Sequence, residues 1–449
     1  MNIRRIFRFL GVDLAVAFVI LGRGWGVIAG IVNVVLISHF LGKTEQGFYY
    51  TFNSVVALQI FFELGLGLVI AQFVSHEMAA LTLSDRGRLA GAADARERVL
   101  SLVRFSVKWY GAIAPVVLVV VAPLGYAFFA TTSTAASQNV AWQLPWLALV
   151  SFTALNLIVS PLISIAEGIG LVAQVAKMRL VQAMTGSVLL WLALALDWGL
   201  MSIAIMPAAV FVVTTIWLWR NVRELVAEAL SVSRLTHQVS WRNELFPMQW
   251  RIALSWLCGY LIFQLFTPIA FKFQSPEIAG QLGMSLTITT AMSTVAMSWV
   301  VTKMPTFGRL IAAGDLRSVD TLFRRAALQS TAILTVMSIV LFCSVWILPA
   351  ISEQIASRIL RPTDFAILGV VAIANHIIFC EASYVRAFKV ERYLPHAVVL
   401  AIAIMVVCGT LGINVSVSAM LAGYAAVMSV LGVTYSHYIY SKFRADHSA

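Results

Sequence analysis

The chain has 449 residues, 60% of them hydrophobic and 11% charged, with a net charge of +11. Water-soluble domains carry about 25% charged residues, so the composition excludes a soluble globular protein and describes a chain that lies mostly in a bilayer. The positive charge does not describe a nucleic-acid binder, because Lys and Arg sit in short links between apolar runs and form neither a basic helix nor an aromatic platform.

Hydropathy predicts an all-α polytopic membrane protein with about twelve transmembrane helices. The spans read 14–38, 48–75, 105–130, 142–166, 172–196, 199–219, 251–273, 278–303, 327–349, 364–388, 395–413 and 416–440. Each approaches the roughly 20 apolar residues that cross a hydrocarbon core. Ahead of the first span, Met1–Leu10 reads as a short interfacial helix leading into an uncleaved span rather than as a signal peptide. The first two spans each hold an ion that lipid disfavours: Arg23 within Gly22-Arg23-Gly24-Trp25-Gly26, and Glu63 within Phe61-Phe62-Glu63-Leu64-Gly65-Leu66-Gly67. A charge at the centre of a spanning helix costs at least about 2.5–3.5 kcal/mol, so it faces protein or a water-filled cavity. The cysteines, Cys258, Cys343, Cys380 and Cys408, lie in apolar spans without metal spacing and read as small buried hydrophobes. No cofactor motif occurs, and no cofactor is expected.

With the N-terminus in the cytoplasm, 26 of the 31 Lys and Arg residues fall on the cytoplasmic side. Four fall outside (Lys43, Lys272, Arg358 and Arg361), and Arg23 remains within a span. One missed helix would invert every later loop, so this bias supports the span count and places both termini inside. Gly87-Arg88-Leu89-Ala90-Gly91-Ala92-Ala93-Asp94-Ala95-Arg96 aligns without gaps on Gly308-Arg309-Leu310-Ile311-Ala312-Ala313-Gly314-Asp315-Leu316-Arg317, 221 residues later. The two segments follow the second and eighth spans, which points to two parallel repeats. The domain reading is therefore an N-terminal six-helix lobe (1–225), a basic cytoplasmic link (226–250) and a C-terminal six-helix lobe (251–449).

The arginine early in the first span, then Ser38-His39-Phe40-Leu41-Gly42-Lys43-Thr44-Glu45-Gln46-Gly47-Phe48-Tyr49-Tyr50, then Glu63-Leu64-Gly65-Leu66-Gly67, carry a family resemblance. Together they resemble the polysaccharide-transport branch, the Wzx-like oligosaccharide flippases, of the multidrug/oligosaccharidyl-lipid/polysaccharide (MOP) flippase superfamily. The motifs cover about residues 20–80; the remainder matches in span count, duplication and charge pattern. The resemblance implies two six-helix lobes around a central cavity. It also implies alternating access that moves an undecaprenyl-pyrophosphate-linked oligosaccharide, such as a polysaccharide or O-antigen repeat unit, from the inner to the outer leaflet of the bacterial cytoplasmic membrane. The implied partners are the polyprenyl-pyrophosphate-linked glycan, the lipid bilayer and the polysaccharide polymerase machinery, with no nucleic acid. Twelve spans in two lobes suffice for a monomer.

A pyrophosphate headgroup calls for cavity cations. Arg23 is the first candidate, because a guanidinium binds phosphate bidentately and keeps its charge in any environment. Arg23, Gly26, Gly30 and Asn33 share one helical face of small and polar residues. Arg23 lies roughly 13 Å, and Glu63 roughly 18 Å, from the inner ends of their spans, so a structural Arg23–Glu63 ion pair stays open beside the ligand-cavity reading. Glu63 shares a face with Gln59 and Gly67 and is equally a candidate for a coupling proton or Na⁺. The remaining cavity candidates are Arg251 at the inner start of the seventh span, Lys272 at its outer mouth beyond Pro268, and Glu381 in the tenth. Each has a plainer alternative: topology anchor, helix end or structural pair. Thr290, Thr294, Ser298 and Thr302 recur at i+4 in the eighth span, which suits a sugar path or small-residue packing alike.

The competing reading is an ion-coupled multidrug antiporter of the same superfamily, which wants an acidic cavity; Glu63 and Glu381 keep it open. An enzyme would need acid/base or metal groups in a substantial loop outside the membrane, and the outer link 131–141 carries no charge. The chain is therefore read as a non-enzyme. Without a nucleotide-binding domain, energy would come from Na⁺, H⁺, the membrane potential or consumption of the product.

Overall fold

A computed structural model describes residues 14–83, 89–131, 140–232, 236–388 and 390–447. The predicted interfacial helix at Met1–Leu10, Gly87 and Arg88 of the repeat, and most of the outer link 131–141 lie outside the described residues. The chain forms two compact units. One gathers the residues up to Leu41 with Val56 through Trp256; the other gathers Gly42–Val55 with Leu257 to the C-terminal helix.

The first unit holds α1 (Leu14–Phe40), α3 (Leu66–Glu77), α4 (Ala93–Ala130), α5 (Gln143–Gly168), α6 (Val172–Ala195), α7 (Ile205–Asn221) and α8 (Arg223–Ser231). α1 packs along α6, α5 lies against α3, α4 and α7, and α8 lies on α4. The α4–α5 seam shows how sequence sets packing. Trp146 is fully buried and donates its indole N–H to the Ala122 carbonyl at 3.0 Å. Its ring occupies the space beside Gly125, where a Cβ would come within 2.0 Å of it. A polar indole nitrogen can be buried here because the Ala122 carbonyl receives it.

The second unit holds α2 (Lys43–Val56), the later part of α9 (Phe246–Phe263), α10 (Phe266–Phe273), α11 (Pro276–Val301), α12 (Met304–Ala312), α13 (Leu316–Ile351), α14 (Pro362–Ala387), α15 (Leu394–Asn414), α16 (Val417–Ala426) and α17 (Val433–His447). α11, α13 and α14 pack mutually around Met292, Ala296, Leu334 and Ala372. The helix starts are written locally. Ser275, Asp315 and Ser416 each accept a backbone N–H three residues on, which satisfies a first-turn donor of α11, α13 and α16.

Among the described residues ten helices are long and apolar enough to cross a membrane, and two bent helix pairs raise the number to twelve if each is one span. The chain is thus an all-α, multi-pass membrane protein, as hydropathy predicts. Two details differ from the prediction. The span predicted at 48–75 is broken: a single 3-10 turn (Ala57–Gln59) and a one-turn helix (Ile60–Glu63) precede α3, and the two parts meet at 45°. A two-stranded antiparallel ribbon, β1 (Leu81–Leu83) with β2 (Leu89–Gly91), also follows α3. The repeat is therefore only partly reproduced. Leu89–Gly91 are strand where Leu310–Ala312 are helix, yet Asp94 and Asp315 both stand at the start of a very long helix. The bend in the seventh span, 42° between Phe263 and Phe266, falls where Pro268 cannot donate to the Gln264 carbonyl.

Candidate functional site

The break in the second span is made by two consecutive left-handed residues, Leu64 (φ 49°) and Gly65 (φ 66°). A glycine takes this conformation freely; a leucine there costs roughly 1–2 kcal/mol. The surroundings hold it in place. A Cβ on Gly65 would stand 2.3 Å from Ile252, and one on Gly67 2.9 Å from the Ser164 hydroxyl. In Glu63-Leu64-Gly65-Leu66-Gly67 the glycines thus make a corner and a close approach. Glu63 sits at that corner, half-buried, and accepts a hydrogen bond from Ser160 of α5 at 3.2 Å. Tyr110 of α4 lies within electrostatic range, its hydroxyl buried and unpartnered among the described residues.

Arg23 is exposed on α1 and makes no hydrogen bond or ion pair among the described residues. No ion pair joins it to Glu63, which is held by Ser160 instead. The face it belongs to is open: a Cβ on Gly22, Gly24, Gly26 or Gly30 would meet nothing within 4 Å. Further along α1, Asn33 accepts the indole N–H of Trp191 at 2.6 Å. That ring lies 5.8 Å from Trp25, whose own N–H is buried without a partner among the described residues. The predicted face therefore divides into a cation beside glycines, unpaired among the described residues, and an anchor of Asn33 and Trp191 that fixes α1 to α6.

The other candidates are dispersed. Gln59 is half-buried in the 3-10 turn before the corner. Arg251 is exposed and lies over the Trp250 ring, 5.6 Å from its centroid. Lys272 is exposed in the last turn of α10. Glu381 is buried in α14, where it accepts from Ser436 and lies 2.9 Å from His437 Nδ1. Thr294, Ser298 and Thr302 donate to carbonyls of their own helix.

Two arrangements were not read from the sequence. In the first unit, charges in the first turns of α4 fasten the link to that helix. Arg98 bridges Glu77 and Glu244 at 2.7 Å each. Glu97 accepts the backbone N–H groups of Thr236 and His237 at 2.8 Å. Arg104 caps the end of α8 through the carbonyls of Ala229 and Val232, and Arg96 pairs with Glu228. α4 has 38 residues, about 57 Å against a hydrocarbon core of about 30 Å, so its charged first turns project beyond the membrane. There the His237 and Thr236 N–H groups hold the Glu97 carboxyl below the usual carboxylate range. In the second unit, the fingerprint around Gly42–Gly47 is a packing device. Glu45 reaches back to the Gly42 N–H at 2.7 Å, as in a capping box. Thr44 donates to Glu277 at 2.7 Å, and buried Gln46 donates to the carbonyls of Gly280 and Arg358 at 3.0 and 2.9 Å. Gly47 lies directly against Pro276, whose carbonyl oxygen would be 1.9 Å from a Cβ. A Glu three residues after a Gly was visible in the sequence; partners some 230 to 310 residues away were not.

No protein-family model and no curated protein matches the sequence. The structure is similar to solved transporters. An inward-facing multidrug resistance MATE family transporter of the MOP superfamily is 12% identical, with a TM-score of 0.66 over 96% of this chain and 98% of that one. The lipid II flippase MurJ in an inward closed conformation is 11% identical, with a TM-score of 0.65 over 94% and 86%. The eukaryotic MATE transporter AtDTX14 is 13% identical, with a TM-score of 0.57 over 97% and 96%. At these identities the likeness establishes a shared fold.

Proposed function

We propose that the protein is a MOP-type transporter that flips a polyprenyl-pyrophosphate-linked oligosaccharide from the inner to the outer leaflet of the bacterial cytoplasmic membrane, working as two six-helix lobes with both termini inside. The observation that carries this reading is Arg23: a permanent cation within an apolar span, bordered by open glycine positions and unpaired among the described residues. Such a group suits a pyrophosphate, which can occupy both arms of the guanidinium fork. Glu63, Asn33 and Gln59 then shape and position the helices around it, with Arg251 as an entry cation. The flippase among the similar structures supports a lipid-linked cargo.

A multidrug antiporter is the second reading, favoured by the MATE likeness. Cells lacking the protein, complemented with wild type, Arg23→Ala or Arg23→Lys, decide between them. The flippase reading expects the lipid-linked oligosaccharide to accumulate on the inner leaflet of the null strain. Arg23→Ala, at normal membrane abundance, then fails to clear it, and Arg23→Lys clears it partly, because an ammonium keeps the charge without the fork. If no lipid-linked intermediate accumulates in the null strain while it becomes sensitive to organic cations, the antiporter reading replaces this one.

A further inference from the structure

In the first unit the helical chain is interrupted at Val222 (φ −127°), between the end of α7 at Asn221 and the start of α8 at Arg223. A cavity of about 610 Å³ lies there, lined by Thr215, Ile216, Trp219, Arg220 and Arg223. Its volume is within the range of small-ligand sites, about 300–1,000 Å³. Two guanidiniums line it and no carboxylate does. Neither Arg220 nor Arg223 makes an ion pair among the described residues. Glu224, the next residue, is half-buried and takes no part in the lining. The cavity is therefore cationic, and Thr215 adds an exposed hydroxyl to it.

Arg223 lies over the Trp219 ring, 5.6 Å from its centroid. The ring attracts the charge but offers no oxygen, so the N–H donors of the guanidinium fork still need acceptors. The other border of the cavity is apolar. Val212, Ile216 and Trp219, at i, i+4 and i+7 of a helix long enough to span a membrane, are 50%, 49% and 66% exposed. They form an uncovered stripe about 10 Å long that runs straight into the two arginines. The order along the helix is aliphatic, indole, guanidinium. It matches the order of a phospholipid from acyl chain through the headgroup level, where Trp is enriched, to phosphate. Topology alone asks for arginines near the end of a span; it does not ask that two of them share one cavity with a hydroxyl and an indole.

We propose that Thr215, Trp219, Arg220 and Arg223 form a binding site for the headgroup phosphate of an anionic phospholipid, whose acyl chains lie along Val212 and Ile216. The phosphate oxygens accept from the two guanidinium forks and the threonine hydroxyl. A zwitterionic lipid fits less well, because its own ammonium group meets the same two cations. The lipid comes from the leaflet at this end of α7, which the charge bias of the sequence reads as the inner one. The site uses none of the residues assigned above to the transport path, so it stands or falls independently of the flippase reading.

The test uses full-length protein, purified in detergent and stripped of lipid, with phosphatidylglycerol, phosphatidylethanolamine and inorganic phosphate as probes. Binding is read by native mass spectrometry and by the melting temperature, which a ligand of the folded state raises. The expected result is retention of phosphatidylglycerol in preference to phosphatidylethanolamine, with a higher melting temperature. Arg220→Gln combined with Arg223→Gln weakens phosphatidylglycerol binding about tenfold or more, as loss of a charge-assisted contact does. Lysine at both positions weakens it less, because the charge stays and the fork goes. Arg309→Gln combined with Arg317→Gln removes the same charge from two exposed positions in the second unit and leaves binding unchanged. Equal retention of the two phospholipids, a glutamine pair that binds like wild type, or a control pair that weakens binding as much overturns the site. Displacement of the lipid by an equal concentration of inorganic phosphate also overturns it, by making the cavity a site for a soluble anion. If the double glutamine variant lowers the yield of folded protein, the two single substitutions carry the same contrast.

Discussion

Single residues carry two kinds of constraint here, and substitution separates them. Gly65 combines a left-handed φ of 66° with a side-chain position only 2.3 Å from Ile252. Gly65→Ala is expected to lower stability by at least about 1–2 kcal/mol from backbone conformation alone, with the clash added, and to reduce the melting temperature of detergent-purified protein. Gly30→Ala, on the open face of α1, is expected to leave the melting temperature unchanged or slightly raised, since the new methyl meets nothing and alanine is the better helix former. Equal effects at the two positions would show that the corner is not a strained fixture. Glu63 and Arg23 could be singled out from the sequence because a charge among apolar residues is visible without any partner. That they do not pair was not legible: it depends on α5 bringing Ser160 to the carboxylate.

At the scale of elements, the fastening of the link to the first turns of α4 predicts a pH response. The Glu97 carboxyl is held below its ordinary range by link N–H groups. Its contribution is therefore present above the ordinary carboxylate range and is lost as pH falls through the depressed value. A spin label at Thr236→Cys should be immobile at neutral pH and gain mobility on acidification; Glu97→Gln should be mobile already at neutral pH. Arg98→Ala should loosen the link further, because it releases Glu77 and Glu244 together. An immobile label in both variants would mean that the link is held by packing, such as Trp241 stacked on Trp109 at 5.6 Å. Hydropathy located the spans because burial in lipid needs only local composition. It missed the corner at Leu64 because that corner is set by what packs against it. The basic link residues were read as topology signals, since nothing local tells an anchoring arginine from one that bridges two distant glutamates.

For the whole molecule, the grouping of Gly42–Val55 with the C-terminal residues means that the second unit is not continuous in the chain. A fragment beginning near residue 240 lacks α2 and leaves the Gly280 and Arg358 carbonyls without the Gln46 amide. Unsatisfied buried groups cost about 1–3 kcal/mol each. That fragment alone is expected to be degraded in membranes, and co-expression of the first half to restore it; Gln46→Ala in the first half should weaken the rescue. A C-terminal fragment that persists alone would show that α2 is dispensable. The resemblance around residues 38–50 was legible as a motif, but its placement beside residues 276–284 and 358 was not, because no local signal specifies a partner so far along the chain.

That separation has a temporal consequence. The Gln46 amide must find a carbonyl that is synthesised 312 residues later. At about 5–20 residues per second the nascent chain spends about 15–60 s with α2 made and its last partner not yet synthesised. During that interval the Gln46 carboxamide lacks its full set of acceptors, and for most of it the close-packing surface of Gly47 has no mate, so the translocon or a membrane chaperone is the available shelter. Slowing translation after the first six spans should therefore lower the yield of assembled protein more than the same pause placed after Arg358.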